Sequence, residues 1–289
     1  MKFFEGIMSN KILVSCIQYT AFEDEVKTLK KLLPMIINAA KNKPDLITLP
    51  ECATFLCSNK RKTLLSATKE ECSLTIREIS KLAKSLKLNI LIGSLQTIIK
   101  ISNKKELVNR SFLINFDGKI LQRYDKIHMF DVTLPSGKTY NESKTYTNGK
   151  KAVISNLIVG KKVYKLGLTI CYDLRFPVLY RDLAKAGAQI ITVPSAFTKK
   201  TGESHWHTLL RARAIETGCY LIAPAQVGKH FKGRETYGHS LIVSPWGEIL
   251  ADGGKKECII NAKIDISKVN KTRSMIPSLS NEKKFTLNI

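Results

Sequence analysis

The chain has 289 residues, 44% of them apolar, and a formal net charge of +23 from 47 basic against 24 acidic side chains. That length and apolar fraction suit one large domain and exclude a disordered or collagen-like chain. Ten of the basic residues are arginine; the lysines are dispersed in ones and twos, as at Lys104-Lys105 and Lys199-Lys200, which describes a solvated surface and no nucleic-acid partner.

Short apolar runs alternate with amphipathic stretches, the pattern of a layered α/β fold. The N-terminal MKFFEGIMSNK lacks the apolar core and cleavage site of a signal peptide. ILVSCIQ (12–18) reads as a strand. Residues 24–41 place Val26, Leu29, Leu32, Leu33, Ile36, Ile37 and Ala40 at helical spacing, with Pro34 tolerated only at a kink or a start. DLITLPE (45–51) reads as a buried strand, 70–87 as a helix, NILIGSLQ (89–96) as a strand and 106–126 as a hairpin around Asp117-Gly118. Residues 131–150 lack periodicity and are expected to form a long functional loop. Strands over 165–171 and 189–197 then alternate with helices over 176–186 and 203–217, and CYLIAPAQV, YGHSLIV and ECIINAKID close the pattern as strands. One domain, 10–270, is expected, followed by a C-terminal arm, 271–289. The longest apolar runs, such as ILVSCI and AQIITVP, fall far short of the ~20 residues of a membrane helix, so a soluble cytoplasmic protein with no membrane partner is expected.

Seven cysteines, an odd number without zinc-finger spacing, predict neither a disulfide framework nor a metal site. His205 and His207, two apart on a helix, point to different faces and make a poor metal pair.

Three polar residues stand where predicted strands run out: Glu51, Lys126 and Cys171. Ligands bind in the crevice beyond strand C-termini in such folds, because rigid strands hold the side chains while loops leave room. A thiol needs a base beside it, and a carboxylate raised by a dry pocket can take and return that proton. A lysine cation and the backbone N–H after the nucleophile, that of Tyr172, would stabilise the oxyanion of a tetrahedral intermediate. This set can hydrolyse an amide without metal or organic cofactor.

The words around these residues, LPECATF (49–55), YDKIHMFDV (124–132) and LTICYDLRFP (168–177), resemble the nitrilase, or carbon–nitrogen hydrolase, superfamily from about Ile12 to Ile266. The resemblance implies a four-layer α-β-β-α sandwich and a Glu-Lys-Cys triad at Glu51, Lys126 and Cys171. It implies a second carboxylate from the intervening loop, matching Glu142 in YNESKTY, which would hold Lys126 and raise the base by like-charge repulsion. Asp173 and Arg175 would brace the nucleophile turn, and Ser195, Phe197 and Thr201 would line the acyl group, with Arg175 a further substrate contact. His205 and Trp206 read as helix-packing residues.

The segment AQVGKHFKGRETYGHSLIVSPWG (225–247) resembles the Nit-type branch that hydrolyses deaminated glutathione. It supplies Lys229, His230, Lys232 and Arg234, able to pair with a distant substrate carboxylate. The implied activity is a thiol amidase working through a thioester on a small anionic amide, deaminated glutathione first and ω-amides such as 2-oxoglutaramate second; charge does not choose between them. A basic nucleic-acid-binding protein that kept the fold and lost the chemistry is the alternative of another class. The apolar residues Met275, Ile276, Leu279, Phe285, Leu287 and Ile289 predict a homodimer or higher even oligomer, built with the arm and the 176–186 helix.

Overall fold

The computed structural model describes residues 10–57, 60–134, 137, 139–231 and 233–288. The chain runs β1 (Lys11–Gln18), α1 (Glu25–Ala40), β2 (Leu46–Thr48), α2 (Lys60–Ser66), β3 (Thr68–Lys69), α3 (Leu74–Leu86), β4 (Asn89–Ile101), β5 (Lys104–Ile114), β6 (Ile120–Asp125), β7 (Asp131–Thr133) and β8 (Thr139–Asn141). It continues with β9 (Val153–Val159), β10 (Lys162–Leu168), α4 (Pro177–Lys185), β11 (Ile190–Thr192), α5 (Lys199–Thr217), β12 (Tyr220–Ala223), β13 (Val227–Lys229), β14 (Glu235–Tyr237), β15 (Leu241–Val243), β16 (Ile249–Asp252), β17 (Cys258–Asp265) and α6 (Ser267–Met275).

Two sheets carry the fold, one in the order β17-β1-β2-β4-β5-β6 with β3 on β4, the other β16-β15-β12-β11-β10-β9. The centre of each is parallel, β1-β2-β4 and β10-β11-β12, because each crossover passes through a helix. Strand alternation sorts the side chains: Ile12, Val14, Cys16, Leu46, Leu91 and Leu113 enter one core with Leu166 and Leu168 of the facing sheet. Ile17, Ile47, Ile90, Ile92 and Phe112 turn the other way, onto Leu32 and Ile36 of α1 and Ile76 and Ile79 of α3. Leu183 of α4 and Trp206, Leu210 and Ala214 of α5 cover the second sheet. The layers are therefore α-β-β-α, as the resemblance implies.

Local chemistry adjusts several boundaries. The strand expected over 45–51 pairs as a strand only over Leu46–Thr48, since Pro50 has no N–H to donate and the chain turns away at Glu51. Ser73 caps α3, its Oγ accepting from the Ile76 amide at 3.2 Å, so the helix starts four residues later than its periodicity suggests. Helix α1 begins at its Asp24 cap and passes through Pro34; Val26 and Ile37 are exposed, so its buried stripe is narrower than the sequence pattern. Helix α6 runs across residue 270, and the arm leaves the domain after Met275. The 131–150 segment holds the β7–β8 hairpin and a tight turn at Glu142–Lys144.

The sheets approach closely beside the catalytic edge. A Cβ on Gly93 of β4 would lie 2.0 Å from the Leu49 carbonyl and 2.5 Å from the Pro194 side chain, so only glycine fits where the segments leading to Glu51 and past β11 cross.

Candidate active site

Glu51 follows β2 into the seam between the sheets and is 4% exposed. Its Oε2 accepts the Ala196 amide at 2.9 Å, and its Oε1 accepts Lys126 Nζ at 2.9 Å and Asn109 Nδ2 at 3.0 Å. Its backbone carbonyl accepts Gln226 Nε2, which ties the first sheet to the strand end beyond β12. Both carboxylate oxygens are thus fixed before any substrate arrives.

Lys126 leaves the end of β6, its amide bonded to the Asn109 carbonyl at 3.0 Å, and is 1% exposed. Its ammonium donates to Glu51 and to both oxygens of Glu142, at 3.0 and 2.8 Å. Glu142 comes from the tight turn after β8, and its Oε2 also accepts the Phe130 amide at 2.7 Å. The 131–150 loop therefore returns a carboxylate to the lysine from which it departed.

Cys171 opens a tight turn, Cys171–Arg175, after β10 and holds a left-handed backbone at φ +50°. Such a conformation costs a non-glycine residue about 1–2 kcal/mol and persists only where surroundings over-determine it. The Cys171 amide donates to the Pro194 carbonyl at 3.0 Å, and the Asp173 carboxylate accepts the Ile170 amide at 2.9 Å. Asp173, fully buried, also accepts the Tyr124 hydroxyl at 2.6 Å and sits 2.7 Å from His128 Nδ1. The brace on the nucleophile turn is therefore Asp173 with Tyr124 and His128, from the lysine-bearing strand and its exit, and not Asp173 with Arg175.

The charges settle one another. Burial would raise Glu51, but the Lys126 ammonium, with hydrogen bonds from Lys126, the Cys171 thiol and the Ala196 amide, holds it below the ordinary carboxylate range. This corrects the expectation that the pocket and a second carboxylate raise the base. Burial would lower Lys126, yet the Glu142 and Glu51 carboxylates hold it well above the usual lysine value. Burial and then Glu51 push the Cys171 thiol well up, against the opposing pull of Lys126. At neutral pH the site rests as carboxylate, ammonium and protonated thiol, with the thiol hydrogen-bonded to its base.

Glu51, Lys126, Glu142, Cys171, Tyr172, Phe197 and Thr201 all line one cavity of about 210 Å³. That is smaller than the roughly 300–1,000 Å³ of drug-sized ligand sites and suits a short acyl group. Ser195 does not join them: it is fully buried, and its Oγ donates to the Val193 carbonyl at 2.9 Å. Arg175 lies outside the lining, stacked over the Tyr172 and Phe197 rings at 5.8 and 5.5 Å and 3.2 Å from His205 Nδ1, so it supports the wall from behind. Trp206 is buried against Phe197, its rings 4.9 Å away. Of the basic segment, Arg234 lines the cavity; Lys229 is exposed, and Lys232 lies outside the described residues. His230 is pulled down to about 4 by burial and is neutral, its Nε2 2.8 Å from Thr236 Oγ1. Asn109, Gln96 and Tyr146 also line the site and were not singled out from the sequence. Asn109 sits mid-strand in LVNRSF, where the one available signal is a polar residue at an inward strand position.

The profile of the family described as carbon-nitrogen hydrolase matches residues 13–274. A Synechocystis protein named deaminated glutathione amidase is 39% identical over 267 residues, covering 92% of this chain and 96% of its own. The yeast omega-amidase NIT3 is 34% identical, covering 96% and 95%. Among solved structures, the C. elegans NitFhit protein superposes with a TM-score of 0.85 at 34% identity, over 95% of this chain and 66% of that longer one. Saccharomyces cerevisiae Nit3, described as a branch 10 member of the nitrilase superfamily, gives 0.80 at 29% identity over 92% and 94%.

Proposed function

The chain belongs to the carbon–nitrogen hydrolase family, and from that premise we propose that it is a thiol amidase for a small amide carrying a carboxylate, with deaminated glutathione as the preferred substrate. The observation that carries the anionic substrate is Arg234. It lines the same cavity as Cys171, and among the described residues its Nε is buried without a hydrogen-bond partner and its Nη2 reaches only the Ala196 carbonyl, at 3.4 Å. A buried donor left unmade costs about 1–3 kcal/mol, and a substrate carboxylate satisfies it. Lys60 lines the same cavity and adds a second cation.

In the proposed reaction the Cys171 thiol gives its proton to Glu51 as the sulfur attacks the amide carbon. The oxyanion is met by Lys126 and the Tyr172 N–H. Glu51 returns the proton to the departing nitrogen, leaving a thioester and free amine. Water then gives a proton to Glu51 and attacks the thioester; the carboxylic product leaves and the thiol is restored. Glu142 keeps Lys126 charged and in place throughout. An ω-amide such as 2-oxoglutaramate is the second reading, favoured by the small cavity, which holds a short acyl group whichever amine leaves.

Hydrolysis of deaminated glutathione, 2-oxoglutaramate and an uncharged short-chain amide by wild type and Arg234→Gln tests this. The variant is expected to lose about 10–100-fold in kcat/KM on the two anionic substrates, the worth of a hydrogen bond to a charged group, and little on the uncharged one. Equal loss on all three, or none, overturns the role of Arg234.

We also propose a cytoplasmic homodimer or higher even assembly. A nucleophilic thiol that must stay reduced suits the cytoplasm. The arm lies along α4, where Glu282 pairs with Arg181 at 3.4 Å and with Lys185. There it presents Phe285 and Leu287, 85% and 82% exposed, alongside a helix whose Val178 is 68% exposed. Apolar side chains this exposed, on an arm tied to α4 through Glu282, suit burial by a second copy.

A further inference from the structure

Outside the catalytic cavity, His207 of α5, His239 before β15 and Asp252 at the end of β16 converge, their ligand atoms all within 4.8 Å of one another. His239 Nδ1 lies 2.9 and 3.1 Å from the two Asp252 oxygens, and His207 Nε2 lies 3.2 Å from Asp252 Oδ2. Donors around one tetrahedral ion with bonds of about 2.0–2.2 Å stand about 3.3–3.6 Å apart, so the three side chains, now hydrogen-bonded to one another, need open by only a few tenths of an ångström to admit one.

The three side chains are held in place by bonds other than those they make to each other. His239 has a left-handed backbone, φ +51°, pinned on both sides: its amide donates to the Gly254 carbonyl at 2.7 Å, and its carbonyl accepts Trp206 Nε1 at 2.7 Å. Trp206 precedes His207, so the same bond fixes that turn of α5 against His239. Asp252 is anchored by the Gly254 amide on Oδ1 at 2.8 Å. Tyr237 stacks on the His239 ring at 4.4 Å and meets His207 edge-on. Among the described residues His239 Nε2 is buried without a partner, and Nδ1 is the nitrogen that faces Asp252.

We propose that His207, His239 and Asp252 form a binding site for a borderline divalent transition cation, Zn²⁺ above all, with the fourth position open to water. Two imidazoles and one carboxylate exclude Mg²⁺ and Ca²⁺, which take oxygen ligands. The ion would act on the amidase from a distance. Trp206, bonded to the His239 carbonyl, packs on Phe197 of the catalytic cavity, so a cation joining α5 to β16 stiffens that wall.

The test is titration of metal-stripped full-length protein carrying Cys171→Ala with Co²⁺, followed by its d–d absorption, and with Zn²⁺ by calorimetry. Expected are one Co²⁺ per chain with a nitrogen–oxygen spectrum lacking thiolate charge transfer, and a Zn²⁺ affinity at least about 100-fold weaker in His207→Ala and in Asp252→Asn. His207 is half exposed on α5, so its alanine variant is expected to fold, and an unchanged circular dichroism spectrum checks this. A thiolate band in the Co²⁺ spectrum, unchanged affinity in both variants, or no uptake at all overturns the proposal.

Discussion

Lys126→Gln tests the electrostatic reading of the site most severely. The ammonium lies 2.9 Å from Glu51 and 2.8 Å from Glu142, in a position 1% exposed. At an effective dielectric of ~20 each such contact is worth about 6 kcal/mol, set against desolvation costs of several kcal/mol per ion. Removing one partner of a buried set costs about 3–5 kcal/mol, because the remaining charges stay buried and uncompensated. Here two carboxylates remain, both bonded to Asn109, and one of them must take up a proton. The variant therefore loses about 3 kcal/mol of stability at pH 7 and at least ~1000-fold in kcat, since the oxyanion donor and the free base go together.

The pH dependence separates this from a packing defect. In the wild type the Glu51 pKa is lowered on folding, so its stabilisation is present above about 4.5 and is lost as pH falls through the folded value. Without Lys126 the shared acid is raised on folding, so its contribution is present below about 4.5 and is lost as pH rises. The stability gap between variant and wild type, measured by urea unfolding, should shrink between pH 7 and pH 5. A gap that stays constant or widens refutes the charge argument even if activity is lost.

Cys171→Ala is expected to fold normally and to lose at least ~1000-fold in rate, while Cys52→Ala, which removes the thiol beside Glu51, keeps the thioester chemistry; an active Cys171→Ala by the same assay, or acyl-enzyme mass found on Cys52, moves the nucleophile. Gly93→Ala must push the Leu49 carbonyl and Pro194 apart, and is expected to cost several kcal/mol or to fail to fold, read by thermal melting; a melting temperature within a few degrees of wild type refutes the close approach. Truncation after Ser280 keeps Leu279 on the main core but removes Phe285, Leu287 and the Glu282 contacts to α4. At physiological salt the Debye length is about 8 Å and the dispersed charge is screened, so the full chain is expected to scatter light as a dimer or larger and the truncated chain as a smaller species. A monomeric full chain, or a truncated chain of unchanged size, refutes the arm's role.

Much of this was legible because the chemistry sits at strand ends. Glu51, Lys126 and Cys171 each follow a run of alternating or continuous apolar residues, and the long polar loop between the last two is where Glu142 was sought. The misses have a common physical source. Asn109 and Gln96 lie within strands, where sequence gives the facing side but not which residues beyond β2 and β8, here Glu51, Cys52, Phe55 and Glu142, come to meet them. Ser195 looks like a wall residue in VPSAF, yet its side chain turns back to the Val193 carbonyl and only its neighbours Ala196 and Phe197 face the cavity. Arg175 is displaced by its own stacking on Tyr172 and Phe197. His205 and His207 do not converge, as their spacing implies; the residues that His207 meets, His239 and Asp252, are 32 and 45 positions away.

In the proposed reaction the resting charges also account for why Glu51 need not be raised to serve as base. With Glu51 ionised and the Cys171 proton already directed at it, the thiol stays unionised until a carbonyl is within reach. Proton transfer alone would place a thiolate in a buried site and neutralise the Glu51 carboxylate that pairs with Lys126, which is uphill. Transfer concerted with attack moves the negative charge onto the substrate oxygen, where Lys126, relieved of Glu51, has a new anion to meet. On this proposal the same ammonium that lowers Glu51 in the free site stabilises the intermediate once Glu51 is protonated. Its attraction shifts from one oxygen to another without the ammonium being desolvated anew, and Glu142 holds it in position at both stages.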